Sequence, residues 1–338
     1  MALLKWLSRL ALYGGGAAFM AGAVNAFVVT IVLFGVVDTE VGTAAARRPL
    51  LACVILIAQF FAFGPASAVV VALGRDFVQF FGFIGLALGM GASAFADTFA
   101  MWIIAQALVG VSLAAVLAAA LEAVLIRFSD GGGWLTWARW IGWFLLGLVV
   151  GWLISANLAV PESRSSYAIA GWQPTLLVFA VLAVVLVLVT GFPADDGDER
   201  LHRESPLLAP DGAAAMSLSI AIGALGLAAM DFAAGGRDVV ILRPLLGFLV
   251  LMVVYVLLHR SHRAHISVVG ALVTAVTMSL AIGLSVAAVA WLQERAVDEG
   301  ATAWTLLGLV PGLVLVLVAA VVAQYQVRGT LKRCLPVD

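Results

Sequence analysis

Apolar runs of about twenty residues recur along this chain, each long enough to carry a helix across the roughly 30 Å hydrocarbon core of a bilayer. The qualifying segments are 11–37, 49–73, 77–97, 99–127, 134–159, 172–193, 215–235, 239–258, 266–292 and 303–325. A water-facing surface cannot be assembled from what is left. Only 11% of residues are charged and 64% are hydrophobic, whereas a soluble domain carries about 25% charged residues. The expected fold is therefore an all-α polytopic membrane protein of about ten transmembrane helices, with the lipid bilayer as its main partner.

Lys5 and Arg9 precede the first apolar run, but that run far exceeds the roughly 7–15 residues of a signal-peptide core, so it reads as a retained helix. With the N-terminus inside, Lys5, Arg9, Arg75, Arg127, Arg139, Arg200, Arg203, Arg260, Arg263, Arg328, Lys332 and Arg333 fall on the cytoplasmic side. Arg47, Arg48, Arg164, Arg237, Arg243 and Arg295 fall outside. That excess predicts a multi-pass protein of a bacterial-type inner membrane with both termini cytoplasmic.

The long polar stretch 194–214, with Asp195, Asp196, Asp198, Glu199, Arg200 and Pro206, reads as a solvated cytoplasmic linker. It separates a six-helix bundle at 1–193 from a helix pair at 215–258. The remainder, 259–338, contains two further helices and a cytoplasmic tail.

Several function classes lose support. A net charge of −1 without a basic cluster argues against a nucleic-acid partner. Two cysteines, Cys53 and Cys334, exclude a disulfide framework and a cysteine metal site. His259, His262 and His265 have helical spacing, but Arg260 and Arg263 between them would repel a cation, so no metal site is expected. The chain has no phosphate loop, nucleophile triad or zinc-protease helix. An enzyme and a cofactor are accordingly not expected.

Polar residues within the apolar runs are the candidate substrate and proton pathway, because a charge at mid-bilayer costs about 2.5–3.5 kcal/mol and usually meets a cavity or a partner. Glu122 either carries a proton or meets a cationic substrate, or sits at the cytoplasmic interface beside Arg127 or Arg139. Arg139, among Trp134, Trp137, Trp140 and Trp143, either binds an anion or snorkels from an interfacial aromatic belt. Asn25, Gln59, Gln106 and Gln173 either line a cavity or bond between helices at under about 1 kcal/mol each. Thr274, Thr277, Ser279 and Ser285 add hydroxyls to the ninth helix. Gly82, Gly85, Gly89 and Gly91 on the third helix, and the Gly147/Gly151 pair on the fifth, predict close helix contacts.

Val71-Ala72-Leu73-Gly74-Arg75-Asp76-Phe77 between helices two and three resembles the glycine-and-charge loop of the major facilitator superfamily. The fourth-helix run Ile103 to Ala115, Gly171-Trp172 with Phe179, and Leu292-Gln293, Gly300 and Pro311-Gly312 are similar to further segments of its 14-helix drug:proton antiporter branch. The resemblance spreads over most of the chain, and it departs at motif positions. Arg75 precedes Asp76 where the family has the acidic residue first, and Gln106 stands where it has arginine. Gly147 and Gly151 remain of a helix-five motif that here lacks its proline and final glycine. Asn25 is the polar residue of a first helix that lacks the usual acid, and the sequence ends about four helices short of that branch. In that fold helices one and four line the central cavity, which directs attention to Asn25 and Gln106. The resemblance implies proton-coupled export of a small amphipathic or cationic molecule. The departures suggest the alternative of a non-transporting scaffold, working with a partner membrane subunit or as a homo-oligomer.

Overall fold

The computed structural model describes residues 15–33, 37, 48–127, 133–159 and 171–190. The linker 194–214, the four segments expected beyond it and the tail lie outside the described residues. Six helices form the described part: α1 (Gly15–Leu33), α2 (Arg48–Leu73), α3 (Arg75–Ala94), α4 (Phe99–Arg127), α5 (Gly133–Ala159) and α6 (Trp172–Thr190). There is no strand among the described residues. Five of these helices, α1 and α3 to α6, have the length and apolarity of membrane spans.

The helix ends follow local chemistry. The expected join at 74–76 contracts to Gly74 alone, at φ 87° and ψ 154°, a backbone region that only glycine occupies at little cost. Arg75 and Asp76 thus enter the first turn of α3, where Asp76 complements the helix N-terminus. α3 stops three residues earlier than expected. The N–H groups of Phe95 and Ala96 bond back to Ala92 and Ser93, both at 3.3 Å, tightening the last turn. Thr98 then caps α4 by accepting the Met101 N–H at 3.3 Å.

Helix directions alternate along the chain. α1 lies along α5 in parallel, with Phe19 at Gly147 and Ala23 at Gly151. α2 lies parallel to α4, with Ile55 at Gly110, and Ala66 and Val70 sharing a core cluster with Ala118 and Ala119. α3 runs antiparallel to α4, pairing Gly82 with Val116, Gly85 with Ser112 and Gly89 with Val109. α6 packs on α3 and meets α4 where Trp172 touches Trp102.

These pairings relate the first three helices to the next three. Exchanging α1–α3 with α4–α6 turns the α1–α5 contact into α4–α2, and leaves the α3–α6 and α1–α4 contacts in place. The exchange is imperfect: α3 packs broadly on α4, while its counterpart, α6 on α1, is slight.

The α1–α5 crossing depends on glycine. A Cβ on Gly147 would strike the Phe19 carbonyl, and one on Gly151 would strike the Ala23 carbonyl. From the other side, Gly22 abuts the Phe144 carbonyl. The backbones touch directly, as expected where lipid supplies no hydrophobic drive and dispersion must do the packing.

α1 and α6 are both apolar all round, yet 94% of the α1 span is buried against 28% of the α6 span. α1 is the enclosed core helix. α6 presents Val178, Val181, Val185 and Leu188 outward, a surface suited to acyl chains.

Candidate functional site

Four buried polar side chains join the helices in two pairs. Asn25 of α1 and Gln59 of α2 are both fully buried and face each other as reciprocal amides. Gln59 Nε2 donates to Asn25 Oδ1 at 2.6 Å, and Asn25 Nδ2 donates to Gln59 Oε1 at 3.3 Å. Each amide nitrogen also donates to its own helix, to the carbonyls of Ala21 at 2.8 Å and Ile55 at 3.3 Å. Every N–H of the two amides thus has an acceptor and each carbonyl oxygen has a donor. Such a pair is strong where water is excluded because either partner alone would be an unsatisfied dipole.

The second pair joins α4 to α3. Gln106 Nε2 donates to Ser93 Oγ at 3.0 Å, and Ser93 Oγ donates onward to the Gly89 carbonyl at 2.8 Å. Gln106 is fully buried, and its Oε1 has no hydrogen-bond partner. One turn earlier on the same face of α4, the fully buried Trp102 has an unpartnered indole N–H. One turn later, Gly110 lets α4 approach α2, where a Cβ would lie 3.3 Å from the Gln59 backbone nitrogen. A single stripe of α4 therefore runs from Trp102 through Gln106 to the Asn25–Gln59 pair. The hydroxyls of Thr30 on α1 and Ser67 on α2 are further buried polar atoms without a partner.

The other expected site residues lie elsewhere. Glu122 is half-buried on α4, roughly 24 Å along the helix from Gln106, at the end where α5 begins. Arg139 is exposed on α5. Gln173 is half-buried in the first turn of α6 and lines a cavity of about 390 Å³ with Asp97. Arg75 and Asp76 form an adjacent pair at 3.1 Å, exposed by 38% and 47%. Solvent screening makes such a pair a minor contributor.

The tryptophans of α5 do not form one belt. Trp134 is 75% exposed, while Trp140 is buried with its indole N–H unpartnered. Trp143 packs edge-on against Phe19 of α1, with centroids 6.5 Å apart. Facing the bundle takes Trp140 and Trp143 out of the interfacial role that their spacing suggested.

Sequence reasoning missed Ser93 and Asp97. Ser93 follows Gly89 by one turn on the face turned to α4, and that glycine stripe was its available signal. Asp97 was counted inside a helix that stops three residues before it.

No model of a known protein family matches the chain, and no curated protein matches it.

Proposed function

We propose that this chain is a secondary active transporter of the major facilitator type, exporting a small amphipathic or cationic compound across a bacterial-type inner membrane. In this reading about ten helices cross the bilayer, both termini are cytoplasmic, and the six described helices form one wall of the pathway. The helices after the linker contribute the other, and access alternates as the two sides rock. The observation that carries the reading is the pairing of α1 with α5 and α2 with α4. Three-helix units of alternating direction related in this way are an inverted repeat, the construction on which rocking carriers are built. Coupling to a proton gradient is assigned to Glu122, the acidic residue within the α4 span.

A second reading, a non-transporting scaffold that acts through a partner subunit or a second copy, is favoured by one observation. Asn25 and Gln59, with the Ala21 and Ile55 carbonyls, are fully satisfied and sealed from solvent, which is how a static helix joint is made.

Efflux of lipophilic cationic dyes from cells expressing the chain separates the two, measured with and without a protonophore and beside Glu122→Gln. Transport predicts efflux that collapses with the gradient and falls to background in the variant. Absence of efflux from well-inserted protein rejects transport and leaves the scaffold.

A further inference from the structure

Where α3 ends and α4 and α6 begin, the bundle opens into a cavity of about 390 Å³ lined by Phe95, Asp97, Gln173, Pro174 and Leu177. That volume lies within the roughly 300–1,000 Å³ range of small-molecule sites. Its chemistry is one-sided. Asp97 is exposed and has no ion-pair partner among the described residues. Beside it the Phe95 ring is 71% exposed, and a carboxylate next to an open aromatic face is a cation site with an apolar wall.

Helix N-termini at the same end offer little to an anion. Thr98 already takes the Met101 N–H of α4, Pro174 has no N–H to give, and the Thr175 N–H bonds to the Gly171 carbonyl at 3.3 Å.

Buried polar groups lie close behind the lining residues in the chain. Trp172, next to the lining residue Gln173, meets Trp102 edge-on with centroids 5.5 Å apart. Ser93, next to the lining residue Ala94, holds Gln106. Trp102 and Gln106 carry a donor and an acceptor, both fully buried and both unpartnered, one turn apart on one face. A buried donor and a buried acceptor, each unpartnered and one turn apart, could both be satisfied by one polar group inserted between them.

We propose that this α3–α4–α6 pocket binds a lipophilic ammonium ion carrying a hydroxyl or amide group. The cation sits at Asp97 against Phe95. The polar group parts the Trp102–Trp172 contact, accepts the Trp102 N–H and donates to Gln106 Oε1. The site deepens the transport reading, on which it rests for its use, by naming a point near the outer end of α3 where an exported cation is held before release.

The test is equilibrium binding of tritiated propranolol, an aryl ether with a secondary ammonium and a hydroxyl, to the full chain in detergent. It is run for the wild type, Asp97→Asn and Trp102→Phe, with the anionic dye 8-anilinonaphthalene-1-sulfonate as competitor. Saturable binding is expected, weakened about fivefold by Asp97→Asn, the upper range for an exposed ion pair. Trp102→Phe keeps the ring edge and removes the N–H. A loss of about fivefold is expected there too, with thermal stability held or raised because a buried orphan donor is gone. Non-saturable uptake, an affinity unchanged in either variant, or displacement by the anionic dye overturns the proposal. Cell efflux of the same compound reports separately. Efflux that survives Asp97→Asn with unchanged binding rejects this site and leaves transport standing. Binding lost in Asp97→Asn from a wild type that exports nothing rejects transport and leaves the site.

Discussion

Asn25 and Gln59 are separated by 34 positions, and nothing in either neighbourhood identifies the other as its partner. Each stood out in the sequence as a polar residue in an apolar run, so its interior place was legible. The partner was not, because it depends on how two helices rotate about their axes. Gln106 stood out in the same way but its partner Ser93 did not, and Gln106 keeps one unpaired oxygen. The Asn25–Gln59 bond should behave as a coupled unit. Either single leucine substitution strands a buried amide and is expected to destabilise by about 1–3 kcal/mol. The double substitution should recover part of that loss. A double-mutant cycle on unfolding in mixed micelles is expected to give a coupling of about 0.6–1.7 kcal/mol. Strictly additive single effects would show that the two amides do not depend on each other.

Helices are the scale at which the sequence was most informative. Every described helix coincides with an expected span to within a few residues, because twenty apolar residues admit few alternatives to a helix. Which face of each helix turns inward was hidden, since lipid tails are as apolar as leucine and burial leaves no amphipathic mark. α1 and α6 illustrate this, being alike in composition and opposite in enclosure. Glycines retain more of the signal because they record where another backbone passes. Gly147 meets the Phe19 backbone, whereas Gly91 has no neighbour within 4 Å of an added Cβ. Gly147→Ala should therefore overpack the α1–α5 crossing and destabilise by about 1–3 kcal/mol. Gly91→Ala should be neutral or stabilise by up to about 1 kcal/mol through helix propensity. Thermal unfolding of both variants in one detergent checks the contrast, and equal shifts would contradict the packing described.

For the whole molecule, the proposed topology places the two ends of α3 on opposite membrane faces, with Asp76 at one and Asp97 at the other. With Cys53 and Cys334 replaced by serine, Asp97→Cys should react with a membrane-impermeant maleimide in intact cells, and Asp76→Cys only after lysis. The reverse pattern would invert the proposed orientation, and equal labelling of both would refute a spanning α3. The joint at Gly74 bears on how such a molecule is made. One residue between α2 and α3 leaves no slack for the first to settle in the bilayer while the second waits outside. In the proposed topology the two would enter the bilayer together as a hairpin, with Arg75 and Asp76 at its bend. A delay in making α3 is then expected to delay the integration of α2, so that the two insert as a pair.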